Sequence, residues 1–188
     1  MTRRLRTVRF VRHGQSEFNA AFERTRPKDP MIFDPRLTDL GRAQAAALAD
    51  PARWAGVELI VTSPLTRAIQ TAQLAFAGVA APIRVEALHR ERLEHSGDVG
   101  RPRAALAAEF AALDFGDLPE IWWKHDPVRP TAMDVESEAE LASRVAAFRE
   151  WLAARPERDI AVVGHGTFFN RLTGHVFANC EVLNSPDF

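Results

Sequence analysis

An α/β fold with a mostly parallel sheet is what this sequence predicts, on two observations. Short β-branched runs alternate along the chain with longer Ala- and Leu-rich stretches of helical spacing. Polar, Gly or Pro residues bound each run, and strands that alternate with helices pair in parallel because the helices form the crossovers.

The elements follow in order. "TVRFV" (7–11) reads as the first strand and "LTDLGRAQAAALAD" (37–50) as a helix. "VELIV" (57–61) is the next strand, "SPLTRAIQTAQLAFA" (63–77) the next helix and "PIRVE" (82–86) the third strand. In "SEAELASRVAAFREWLAAR" (137–155), Leu141, Val145, Phe148 and Leu152 share one helical face, and Ser137 with Glu140 forms a capping box. "DIAVV" (159–163) is the last predicted strand. The stretch from Glu91 to Pro130, with scattered Gly and Pro, is the least regular part of a single domain spanning 1–188; irregular surface packing is the simpler reading of it, and a lid or insertion over one end of the sheet is the alternative.

Bulk properties narrow the function by exclusion. The 188 residues suit one domain with a full core. A net charge of -1 leaves no basic footprint, so neither nucleic acid nor a membrane surface is an expected partner. The opening "MTRRLRTVRF" lacks the apolar run of roughly 7–15 residues that a secretory signal needs. No run approaches the roughly 18 apolar residues of a membrane span. Cys180 is the single cysteine, which excludes an internal disulfide and makes a cytoplasmic location the expectation.

In open α/β sheets the ligand crevice lies beyond the carboxyl ends of the strands. Arg12, His13 and Gly14 follow the first strand here, and Thr62, Ser63 and Pro64 follow the second, with Arg67 in the first turn after it. Leu88, His89, Arg90 and Glu91 follow the third, and Gly164, His165 and Gly166 the fourth. Two histidines each beside a glycine, with several arginines and a glutamate, should therefore meet at one sheet edge.

The residue types point to phosphate. Guanidinium forks match phosphate oxygens bidentately and stay charged. A neutral imidazole is a competent nucleophile, and a carboxylic acid can protonate a leaving alcohol. Zinc-type spacing, a GxSxG elbow and phosphate-cradling glycine loops are missing, so no metal and no cofactor is expected. His89 and His95 near Glu94 and Asp98 are the one grouping that suggests a metal site.

"VRHGQSEFN" (11–19), "DPRLTDLGRAQA" (34–45), "SPLTRAIQTA" (63–72), "HRE" (89–91) and "VVGHGTF" (162–168) resemble successive motifs of the histidine phosphatase superfamily, the phosphoglycerate mutase-like branch 1. The resemblance spans nearly the whole chain and implies a three-layer α/β/α fold. It implies that His13 is the phosphorylated nucleophile, with Arg12, Arg67 and His165 around the phosphoryl group and Asn19 as a further polar contact. Glu91 matches the family's acid, with His89 where a leucine is usual, and Glu94 is the alternative acid. Gln15, Ser16 and Gly166 fall in the phosphate-binding segments.

Trp122 and Trp123 are candidates for either a pocket wall or the core. Glu136 and Ser137 resemble an "ES" pair before the penultimate helix, which capping alone explains. Cys180 reads as a small buried hydrophobe. The function expected is a phosphomonoesterase acting on a small phosphorylated substrate or a phosphoprotein. A phosphoglycerate mutase-type transferase and a non-catalytic phosphate-binding module are the alternatives, and oligomeric state is left open.

Overall fold

The computed structural model describes residues 6–126, 128, 133–186 and 188. Its strands are β1 (Thr7–Arg12), β2 (Leu59–Thr62), β3 (Ile83–Val85), β4 (Asp159–Gly164) and β5 (Val182–Pro186). They form one sheet in the order β3-β2-β4-β1-β5. The first four pair in parallel, and β5 runs antiparallel to β1 along the outer edge. The helices are α1 (Glu17–Thr25), α2 (Asp39–Ala46), α3 (Thr66–Ala75), α4 (Arg103–Glu109), α5 (Glu138–Ala153) and α6 (Gly166–Thr173).

Both sheet faces are covered, which is why the central strands read as near-continuous apolar runs. Val8, Phe10, Val61, Ile160 and Val162 face α5 and α6, where Leu141, Val145, Phe148, Leu152, Phe168 and Phe169 complete one buried cluster. Val11, Ile60, Ala161 and Val163 point the other way, onto Ala68, Ala72 and Ala75 of α3 and onto Trp54. The stripe read from the α5 sequence is thus its buried face, and Ser137 and Glu140 exchange side-chain and backbone hydrogen bonds at its start.

The irregular segment is a packed excursion in its described part. Leu93, Val99, Leu106, Phe110, Phe115, Leu118, Trp122 and Trp123 form a third cluster on Leu65 and Ile69 of α3 and Val85 of β3. Residues 127, 129 and 130, at the far end of this stretch, lie outside the described residues. Trp122 and Trp123 meet edge to face at 5.4 Å, and Trp122 donates its indole N–H to the Arg101 carbonyl at 2.9 Å. Among the described residues, no helix is long and apolar enough to cross a membrane.

α2 is fastened to the loop after β1 by two glycines. A Cβ at Gly14 would lie 2.5 Å from the Gly41 carbonyl oxygen, and a Cβ at Gly41 would lie 2.0 Å from that of Gln15. The need for Gly14 is therefore close backbone approach to α2 rather than room for a ligand. Gly41→Ala should destabilise the fold by ~2 kcal/mol or more, since backbone must yield on one side. A urea midpoint unchanged from the wild type would show that the two segments separate freely.

Candidate active site

β1 and β4 are neighbours, so the two His-Gly turns emerge side by side. The His13 backbone N–H donates to the Gly164 carbonyl at 2.9 Å, and the His13 and His165 rings lie 5.1 Å apart. Three contacts fix the loop after β1. Gly14 N–H donates to Thr71 Oγ1 at 3.1 Å, Asn179 Nδ2 donates to the His13 carbonyl at 2.9 Å, and Ser16 caps α1 by accepting from Asn19 N–H at 3.1 Å.

Both His13 ring nitrogens are committed. Nδ1 lies 2.7 Å from the Gly14 carbonyl, an acceptor only, so the proton resides there. Nε2 accepts from Arg67 Nε at 3.2 Å and so carries the lone pair. Burial, then the charges of Arg67 and Arg12, holds this imidazole well below the ordinary histidine range.

Arg67 is itself buried and reaches across from α3. It donates to the Gly97 carbonyl and pairs with Asp98 at 3.1 Å. Burial lifts the Asp98 carboxyl to about 6, against the pull of Arg67 and with the charge of Glu91 adding to the rise. Arg12 donates to the Phe177 carbonyl at 2.6 Å, while its Nε is buried without a partner among the described residues. A Cβ on Gly166 would come within 3.2 Å of that Nε, so the glycine lets Arg12 lie flat beside α6.

His165 precedes α6 and is fully buried, with Nε2 2.8 Å from Ser63 Oγ and Nδ1 unpartnered. Burial and the nearby Arg67 keep it, too, well below its ordinary range. Glu91 faces the start of the same helix. Its side-chain oxygens accept from Phe168 N–H at 2.9 Å and Thr167 N–H at 3.0 Å, which fixes the group at the start of α6.

Arg12, His13, Ser16, Asn19, Arg67, Glu91, Glu94 and Gly166 line one cleft of about 430 Å³, with His165 directly behind His13. Gln15 is elsewhere: its side chain accepts from Thr38 Oγ1 at 2.9 Å, which ties the loop to α2. Trp122 and Trp123 do not line this cleft. Cys180 is half-buried against the core, and burial pushes its thiol up to about 11. His89 and His95 diverge, His89 stacking on Phe148 at 4.9 Å and His95 meeting Phe22 at 4.9 Å. No group of three or more metal-ligating side chains forms among the described residues.

Two residues that matter here were not singled out from the sequence. Asp98 stood only in the suggested metal grouping, and Arg144 on α5 lies outside every motif read from the sequence. Arg144 instead pairs with buried Glu136 at 2.5 Å and donates to the carbonyls of Leu88 and Arg90, at 2.9 and 2.6 Å, bracing the loop that carries Glu91. Capping therefore explains Ser137 but not Glu136. A repeated pattern of Arg eight positions after a buried acid gives no sequence signal of its own.

A profile of the histidine phosphatase superfamily (branch 1) matches residues 8–185. The chain belongs to that superfamily. It is 30% identical to a phosphoglycerate mutase-like protein of Arabidopsis thaliana, over 94% of this chain and 77% of that protein. It is 31% identical to a glucosyl-3-phosphoglycerate phosphatase of Mycolicibacterium vanbaalenii, over 90% of this chain and 73% of the other. The solved structure of a mycobacterial glucosyl-3-phosphoglycerate phosphatase superposes with a TM-score of 0.62 at 25% identity, covering 96% of this chain and 90% of that one. The chain thus has relatives named as phosphatases and shares their fold.

The buried imidazoles carry a pH signature. His13, His89 and His165 are neutral in the fold, and burial lowers His89 to about 3. In the unfolded chain each regains its ordinary value of 6.5 and takes up a proton below it. The unfolded state then binds more protons, so stability falls as pH drops below 6.5, by up to ~1.4 kcal/mol per pH unit for each imidazole. His89→Leu removes one of these, and the Val163 carbonyl keeps its bond from Ser63 N–H. Urea denaturation from pH 7 down to pH 5 should therefore show a slope shallower by about one proton in the variant. Identical slopes would mean that His89 is already protonated in the folded protein.

Proposed function

We propose that this histidine phosphatase hydrolyses small phosphomonoesters through a phosphohistidine on His13. The observation that carries the reading is the pair of contacts on the His13 ring, which place the proton on Nδ1 and a lone pair on Nε2 beside two guanidinium groups. The substrate's phosphoryl oxygens replace the Arg67 contact and are held by Arg12 and Arg67. These cations neutralise charge as a metal does in other phosphoryl-transfer sites. Ser63 donating to His165 Nε2 leaves the proton on His165 Nδ1, a further donor to the phosphoryl group.

The steps balance as follows. Nε2 attacks phosphorus and the ester P–O bond breaks. Glu91, protonated at the start, gives its proton to the departing oxygen, and the alcohol leaves. Water then attacks the phosphohistidine, Glu91 takes up a proton from it, the P–N bond breaks, and inorganic phosphate leaves a regenerated His13. Glu94, exposed and paired with Arg92 at 3.0 Å, does not touch the α6 start and is the weaker candidate for the acid. Asn19 and Ser16 border the entrance as polar contacts. The cytoplasm, where Cys180 stays reduced, is the compartment we assign.

His13→Ala should lower phosphate release by at least ~10³-fold while leaving the fold intact by circular dichroism, because the covalent route is lost. Residual turnover near the wild-type rate would remove His13 from the reaction. Conversion of 3-phosphoglycerate to 2-phosphoglycerate, stimulated by 2,3-bisphosphoglycerate and exceeding hydrolysis, would replace the phosphatase reading with the mutase one.

The pH profile follows from the protonation states required. His13 must be neutral to attack, and its depressed imidazole stays so well below pH 6.5, so the acid limb is displaced downward. A carboxylic acid donor works only in its protonated form, so the rate is expected to fall towards alkaline pH. A maximum of kcat/KM on the acidic side of neutral is expected, and a profile flat from mildly acidic to alkaline pH would count against a carboxylic acid donor.

A further inference from the structure

The cleft has two ends of different chemistry. At the inner end Arg12, His13 and Arg67 take the phosphoryl group. At the outer end α1 presents Phe18 and Phe22, stacked at 5.3 Å with planes 23° apart, and the His95 ring closes on them at 4.9 Å from Phe22 and 5.7 Å from Phe18. All three rings line the cleft, together with exposed Val176. Gly97 makes the seat for this wall, since a Cβ there would lie 2.6 Å from Phe18.

The charges at the outer end run against an anionic alcohol. Arg92 lines the cleft but is engaged: it pairs with Glu94 at 3.0 Å and with Glu138, and it donates Nε to the Glu136 carbonyl at 2.9 Å. Glu94 and Asp98 also line the cleft. Arg26 lies over the Phe22 ring at 5.2 Å but is not among the lining residues. With Arg12 and Arg67 taken by the phosphoryl group, Arg92 is the remaining arginine among the described lining residues and is engaged by Glu94 and Glu138, so a carboxylate on the alcohol would meet acids and no free guanidinium. An uncharged ring, by contrast, meets apolar faces of the right geometry for stacking.

We propose that the substrate is a phosphomonoester of an uncharged alcohol bearing an aromatic ring, which packs against Phe18 and Phe22 while the phosphoryl group sits on Arg12 and Arg67. The proposal rests on the phosphatase reading above. It sets this chain apart from a site built for phosphoglycerate esters, whose carboxylate requires a free cation.

The test compares 2-phenylethyl phosphate, ethyl phosphate and 3-phosphoglycerate. All three are esters of aliphatic alcohols, so leaving-group reactivity differs little between them. For the wild type, kcat/KM should be about tenfold or more higher for the phenylethyl ester than for either other, mainly through KM. In Phe22→Ala the phenylethyl to ethyl ratio should fall about fivefold, and in Phe22→Trp it should be retained. Equal or better turnover of 3-phosphoglycerate by the wild type overturns the proposal and would point to Arg26 as a carboxylate handle. So does a ratio that Phe22→Ala leaves untouched. Should Phe22→Ala fail to fold, Phe22→Leu keeps the bulk and removes the ring face, and the wild-type ranking decides independently. Absence of phosphate release from all three esters defeats the phosphatase reading and this proposal with it, whereas release without the aromatic preference defeats this proposal alone.

Discussion

One buried guanidinium holds the site together. Arg67 extends from the first turn of α3, contacts the imidazole of His13 after β1, and continues to the Gly97 carbonyl and the Asp98 carboxylate. Three segments far apart in sequence meet on it. A buried arginine without partners would be prohibitively costly, so the docked position of α3 depends on the turn over 96–98 and on the loop after β1. The strand ends supply positions, and Arg67 converts them into a constellation with a fixed imidazole tautomer.

A second buried ion pair braces Glu91 as Arg67 braces His13. Arg144 and Glu136 lie in the interior between α5 and the segment after β3, and the remaining Arg144 donors hold the carbonyls that precede Glu91. Phe168 stacks beneath the same guanidinium at 4.9 Å, and its backbone N–H is one of the Glu91 donors. Arg144, Phe168 and Glu91 are therefore joined by direct contacts, and α6, whose first turn faces Glu91, is tied to them. Loop residues gain the precision of the helices through these two guanidinium groups.

Much of this was legible in the sequence because it depends on local pattern. Strands β1, β2 and β4 carry apolar runs long enough to be covered on both faces, and α5 carries a stripe with its cap. Arg12, His13, Arg67, Glu91 and His165 follow strand ends or open a helix, which places them at one sheet edge by topology alone. What failed to show depends on distant partners. β5, "VLNSP", has neither alternation nor β-branched weight, and only its pairing with the edge of β1 makes it a strand. Gln15 could not be separated from its neighbours Ser16 and Asn19, since its direction is set by Thr38, which is 23 residues away. Gly41 looked like an ordinary helical glycine until the loop at Gly14 was set against it.

The same topology explains why the imidazoles stay neutral in a cleft lined by two guanidinium groups. Two guanidinium groups beside an exposed histidine would still leave it able to charge in acid, as water would screen the repulsion. Here the rings lie behind strand tips, excluded from water, and each is hydrogen-bonded in a manner that suits the neutral form. His13 Nε2 therefore keeps its lone pair although two guanidinium groups lie close. His89, stacked on Phe148 and bonded to the Val163 carbonyl beneath His165, extends this dry layer one residue deeper. Its place in the strand-end series comes from topology, but its neighbours make it part of the core, and this is why a histidine can stand where the family resemblance has a leucine.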